Sequence, residues 1–421
     1  MESFDSLASL GHVLSALPGH ASLPETLPQH LVKQQAALGI ILAQYGPDDM
    51  SQLDAVAECM HYFCGTGPAP AIIQAYLASP DALTNTSSPY SLQNTVTQLA
   101  EPIERAYTSA DHGRLYISEE LAARRQRIYH TPEKALEEWG PEQDLDELAA
   151  RAGLSAAIVA AIKDRKPAPA DLPTVEDQLW ALYYTFLHEA RRIPWRDEAA
   201  QQKLVDLLAA LQRRPDPPRP AFMTVPLSRH WIFGLQTKLW SHLAMFGPAA
   251  RESWNDSPGC GAGWLPVEIA AWQNVNGFLA RVTAQGLMDY TVYGAWALYG
   301  AVGTEKHTGA VEKVLSLKDH HRKPPSFEAV AASAYGTAEV WLRIVGRDMF
   351  RRGRDNEPKK NMKLDGREVI DVTVERWDRW RSRLDMVTAP PFSDRIVKIA
   401  EECATLMVRI EEELKDEQGP W

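Results

Sequence analysis

The run "EDQLWALYYTFLHEA", residues 176–190, limits the fold more than any other stretch of the chain. Leu179, Leu182, Tyr183, Phe186 and Leu187 recur at i, i+3, i+4, i+7 and i+8. That spacing lines one side of a helix, whereas a half-buried strand alternates every second residue. "AAQQKLVDLLAALQRR" (199–214) repeats the pattern with Leu204, Leu207, Leu208 and Leu211. Similar periodicity covers about 228–245, 266–286, 288–301, 326–351, 373–386 and 393–415, and no alternating pattern interrupts it. The expected fold is all-α: an irregular multi-helix bundle of antiparallel helix pairs. The first such pair would be joined by the short turn at Pro194.

Proline and glycine divide the chain. "RRPDPPRPAFMTVP" (213–226) and "KPAPADLP" (166–173) cannot be helix interior, because proline lacks the amide donor and clashes with the preceding turn. Residues 254–266 and 353–367 read as loops, the first rich in glycine and the second polar. Three segments result: an N-terminal helical extension (1–69), a helical segment ending in a proline-rich linker (70–170), and an aromatic-rich helical domain (171–421).

Charge and cysteine narrow the setting. A net charge of −11 argues against a general nucleic-acid binder, which needs an excess of Lys and Arg. Four scattered cysteines do not make a disulfide framework and suit a reducing compartment. The opening "MESFDSLASLGH" lacks a secretory pattern, and no run of eighteen apolar residues occurs. A cytoplasmic or nuclear protein without a membrane span is expected.

Several motifs begin and do not finish. His188-Glu189 suggests a zinc-protease helix, but the second histidine position is Arg192. "CMHYFC" (59–64) offers Cys59, His61 and Cys64 with no second ligand pair. The "DHH" at 319–321 reads as a solvated loop. "DDMSQLD" (48–54) resembles a terpene-cyclase magnesium cluster, yet the partner at 255–263 places Gly259 and Gly263 where ligands belong. No metal or other cofactor is predicted.

Two features bear on nucleic acid. "LAARAGLS", within 144–169, resembles a helix-turn-helix, but Ala156, Ala157, Ala160 and Ala161 fill the reading helix. Over 142–166 acids also outnumber bases, so a packing hairpin is the better reading. The basic concentration at 343–367 and "ERWDRWRSR" (375–383) mix arginine with tryptophan. The i, i+3 spacing of Trp377 and Trp380 points them inward, and Glu375 and Arg379 suit a surface pair. Nucleic acid is not an expected partner.

The most suggestive region is aromatic. "AAWQNVNGFLARVTAQG" and "DYTVYGAWALYG" place Trp272, Tyr290 and Trp296 among Asn276, Arg281 and Asp289. A few convergent polar groups among large rings can orient a ligand, so these six residues are the candidate binding set. The competing reading is core packing, with each indole N–H bonded to the protein itself.

"LWALYYTFLHEARRIPW", "NVNGFLARVTAQG", "YGAWALYGAV" and "ERWDRW" occur in order after "LAEPIERAY" (99–107). Together they resemble a family of fungal proteins catalogued only as a domain of unknown function, over about 70–415. The resemblance implies a helical fold in a fungal intracellular protein and brings no activity or catalytic residue. Residues 1–70 and 115–170 depart from the pattern. The expectation is a non-catalytic intracellular protein that binds a protein partner or a small molecule. The alternatives are an enzyme of fungal specialised metabolism, using general acid–base groups such as Asp289 or His188, and a nucleic-acid-linked regulator.

Overall fold

A computed structural model describes residues 68–108, 175–218, 238–258, 266–303, 326–355, 363–364, 367–368 and 372–416. The fold is all-α. The helices among the described residues are α1 (Ala69–Ala78), α2 (Leu92–Thr108), α3 (Val175–Arg192), α4 (Glu198–Gln212), α5 (Phe246–Asn255), α6 (Pro266–Ala284), α7 (Thr291–Val302), α8 (Phe327–Asp355), α9 (Val374–Asp385) and α10 (Asp394–Asp416). Between α8 and α9, Lys363–Leu364 (β1) pairs antiparallel with Arg367–Glu368 (β2). Among the described residues no helix is long and apolar enough to cross a membrane.

The chain forms two compact units. Unit 1 takes its described residues from Phe186–Val205 and from Arg251 onward; unit 2 takes them from residues up to Thr185 and from Asp206–Ala250.

In unit 1 the long helix α8 packs on α6, α7 and α10. Helices α8 and α10 run parallel: Ser393 donates to Glu328 near their starts, and Arg354 donates to the Leu414 carbonyl near their ends. Helix α7 runs against α8, with Thr291 beside Arg352 and Gly294 beside Met349. That approach needs glycine, since a Cβ on Gly294 would stand 2.8 Å from the Met349 sulfur and 3.0 Å from the Trp341 ring. Helix α9 starts on Thr373, whose side chain accepts from the Arg376 amide, a normal N-cap. It buries Trp377, Trp380 and Leu384, as the spacing of "ERWDRW" predicts. The Trp377 indole donates to Glu411 on α10, which satisfies its one polar atom.

In unit 2, α1 packs on α2, and α2 buries Val96, Leu99, Ile103 and Tyr107 on one face. Leu179, Leu182 and Tyr183, the first part of the α3 stripe, are also buried here, as are Leu207, Leu208 and Leu211 of α4.

Two expectations change. Residues 238–245, the described part of the expected helix 228–245, form a chain of turns, with Leu243 and Met245 in the left-handed region. Leu239, Leu243 and Phe246 have helical spacing and are buried. The turn wins because Asp216, from the proline-rich stretch, captures the Trp240 and Ser241 amides. Helix α5 then occupies 246–255, where Pro248 lies in the first turn and removes no intrahelical bond. The supposed loop at 353–367 likewise begins as the end of α8. The motifs at 48–54, 59–64 and 319–321, and the hairpin at 144–169, lie outside the described residues.

Candidate functional site

The candidate residues sit in unit 1, where two arrangements meet along α6. The first is a set of polar side chains that hold the turn between α3 and α4. Asn274 accepts the Trp195 amide at 2.8 Å and donates to the Arg191 carbonyl at 2.9 Å. Gln201 donates to the Ile193 carbonyl at 2.8 Å, meeting one of the acceptors that a helix C-terminus leaves open. Arg281 donates to the carbonyls of Trp195 (2.8 Å) and Gly277 (3.1 Å). Burial lowers the pKa of the Arg281 guanidinium, partly offset by Glu198 and Asp197. Gly277 permits the close approach, since a Cβ there would fall 2.6 Å from that of Trp195. Beside this turn the fully buried Arg191 donates to both the carbonyl and the hydroxyl of Ser253.

The second arrangement is a ring stack. Tyr293 lies 5.0 Å from Trp254, 5.2 Å from Tyr290 and 5.5 Å from Trp296, centroid to centroid, all nearly parallel. Trp254 also meets Trp296 at 5.1 Å and Trp272 at 6.0 Å. Each contact of this kind contributes about 0.5–1.5 kcal/mol beyond area burial. A flat guest between two rings would hold them about 7 Å apart, twice the carbon contact distance. The observed spacings are shorter, so these rings contact one another directly. Trp254 and Trp296 are only partly buried, while Trp272, Tyr290 and Tyr293 are buried. Burial pushes the Tyr293 hydroxyl up to about 12, so it stays protonated at neutral pH.

The six candidate residues therefore separate. Trp272, Tyr290 and Trp296 join one stack through Trp254 and Tyr293. The Trp272 indole donates to the Trp254 carbonyl, and the Tyr290 hydroxyl to the Met288 sulfur. Asn276 is fully buried, donating to the Trp272 carbonyl and accepting the Trp341 indole at 2.8 Å. Arg281 belongs to the turn. Asp289 is exposed and bonds Thr291 and Arg352. Partial burial works to raise its pKa, but the hydrogen bonds from Thr291 and Arg352 outweigh that and hold the carboxyl below its usual range.

The other motifs also resolve into contacts. His188 and Glu189 are buried, and Glu189 pairs with Arg192 at 3.2 Å. Among the described residues no group of three or more His, Cys, Asp or Glu could hold a metal ion. Within the basic stretch, Arg343 pairs with Glu339 and Glu402, Arg347 with Glu413, Arg351 with Asp348, and Arg354 with Asp355.

Sequence reasoning missed Arg191, Gln201 and Trp254. A signal existed for the first two. Gln201 falls in step with Leu204 and Leu208 on a buried stripe, and Arg191 continues Leu179, Tyr183 and Leu187 at steps of four. A polar residue in register with apolar ones marks a buried bonding partner.

Residues 183–384 match the model of a family described as a protein of unknown function (DUF3632). That stretch includes the whole ring stack and the polar set around Trp195. No curated protein and no solved structure matches the chain.

Proposed function

We propose that the protein is a non-catalytic binding protein, in a cytoplasmic or nuclear setting, that takes a protein partner on the outer side of the ring stack in unit 1. The observation that carries this reading is that Trp254 and Trp296, two members of the stack, are only partly buried. On α7, Val292, Trp296 and Tyr299 stand at i, i+4 and i+7 and are each partly buried, which extends the apolar face along the helix. Rigid tryptophan and tyrosine rings give large contact area at little entropic cost, which is why they dominate interface hot spots. Asn276 and Asp289 are bonded within the protein, so the rings would hold a partner chiefly by shape and apolar contact. A small apolar ligand would meet the same rings.

Affinity capture with the wild-type chain and with Trp254→Ser/Trp296→Ser tests the proposal. A partner held by the wild type and lost by the double variant, with both chains folded by circular dichroism, is expected. Equal capture by both would refute this surface. Native mass spectrometry of the purified chain separates a retained small molecule from a protein partner.

A further inference from the structure

Helix α7, Thr291–Val302, carries no charged residue. A helix that is apolar all round is normally covered all round. Most of α7 is buried, but Val292, Trp296, Tyr299 and Gly300 are only partly buried. Val292, Trp296 and Gly300 fall at i, i+4 and i+8, one of the ridges by which helices pack on one another. Among the described residues, this one row of α7 is left without a full cover.

The row holds a knob and a notch. Trp296 is the knob, its ring held in place by Trp254 at 5.1 Å and Tyr293 at 5.5 Å. Gly300, one turn further on, is the notch: beyond its own turn of helix, no described atom lies within 4 Å of a Cβ built there. Glycine inside a helix is less stable than alanine. Gly294 is needed because Met349 comes close, but no described residue makes that demand at Gly300. Charges of both signs stand beside the stack, since Arg251 acts to lower the pKa of the Tyr293 hydroxyl and Glu252 to raise it.

A knob and a notch one turn apart on the same helix complement their own copy across a two-fold axis. Two antiparallel α7 helices set each Trp296 over the Gly300 of the other. A rim holding both signs also matches its own copy, and it favours no strongly acidic or strongly basic partner. We infer that α7 is a self-association surface: a second copy of this chain packs antiparallel on the row of Val292, Trp296 and Gly300, each Trp296 seated in the other copy's Gly300 notch. The inference rests on the reading that the outer side of the ring stack takes a protein, and it names that protein.

Sedimentation equilibrium of the full chain from about 1 to 100 μM, which brackets micromolar association, tests the pairing. A dimer is expected for the wild type. Gly300→Gln fills the notch without adding apolar surface and puts a better helix former there. It should raise the dissociation constant by more than about tenfold. A wild type that stays monomeric throughout overturns the inference, and so does a dimer equally tight in the variant. Should Gly300→Gln not fold by circular dichroism, Tyr299→Arg, on the same face of α7, takes its place with the same two readings. The surface is judged separately. A monomeric wild type that captures a different protein, lost by Trp254→Ser/Trp296→Ser, refutes the second copy and keeps the surface. A monomer with equal capture by both chains refutes both.

Discussion

The two units each hold a turn between helices, and they do so with different chemistry. In unit 1 the turn at 193–197 is tied by neutral amides, Asn274 and Gln201, with Arg281 adding a permanently charged donor. In unit 2 the turn at 238–245 is tied by carboxylates: Asp216 takes two amides and a hydroxyl, while Glu104 takes Arg214 and the Trp240 indole. The first set has nothing to lose in mild acid. The second does. The hydrogen bond from Arg214 holds the Glu104 carboxyl below its usual range. For Asp216, partial burial opposes ionisation, but the bonds from Ser241 and the two amides outweigh it and lower the pKa.

The sharpest way to break this comparison is at Asn274. Replacing it with Leu strands the Trp195 amide and the Arg191 carbonyl together, and the unfolding free energy from urea denaturation should drop by about 3 kcal/mol. That deficit should be the same at pH 4 and pH 7. Next in size is Gly277→Ala, which sets a Cβ against the backbone-proximal part of Trp195 and should cost about 2 kcal/mol in the same assay.

The carboxylate side is smaller and depends on pH. Glu104→Gln should cost about 1 kcal/mol at pH 7, after allowance for partial exposure. Both carboxyls have folded pKa values below their unfolded ones, about 4.3 for Glu and 3.9 for Asp. Their contribution is therefore complete above those values and disappears as pH falls through the lower folded values. The gap between wild type and a Glu104→Gln/Asp216→Asn double variant should stay constant from about pH 5 to 8 and close below about pH 4. A gap that persists at pH 2 would remove the distinction between the units. The smallest effect is expected at Asp289→Asn, less than about 0.5 kcal/mol, because its pair with Arg352 is exposed.

The contrast also explains what the sequence disclosed. Helices α3, α4, α6, α7, α8, α9 and α10 were legible because their stripes bury what periodicity says they bury. The turn at 238–245 was not, since Leu239, Leu243 and Phe246 repeat at helical spacing and the deciding contact comes from Asp216, more than twenty residues away. The start of α5 was hidden by Gly247-Pro248, a pair that normally marks a turn. At the candidate site, helical spacing put Trp272 on an apolar stripe but did not show what it meets, and Asn276 read as a ligand-orienting group although it is fully buried. Partner identity across an interface, such as Asn276 with Trp341, is set by the register between helices, which a single sequence does not encode locally.

Equilibrium unfolding of Asn276→Ala tests the central claim most directly, namely that the conspicuous polar residues of α6 hold the fold and leave recognition to the partly buried rings. The substitution leaves the fully buried Trp341 indole without its acceptor. A loss of about 2 kcal/mol is expected. An unfolding free energy equal to that of the wild type would contradict the claim and return Asn276 to the set of groups available for a ligand.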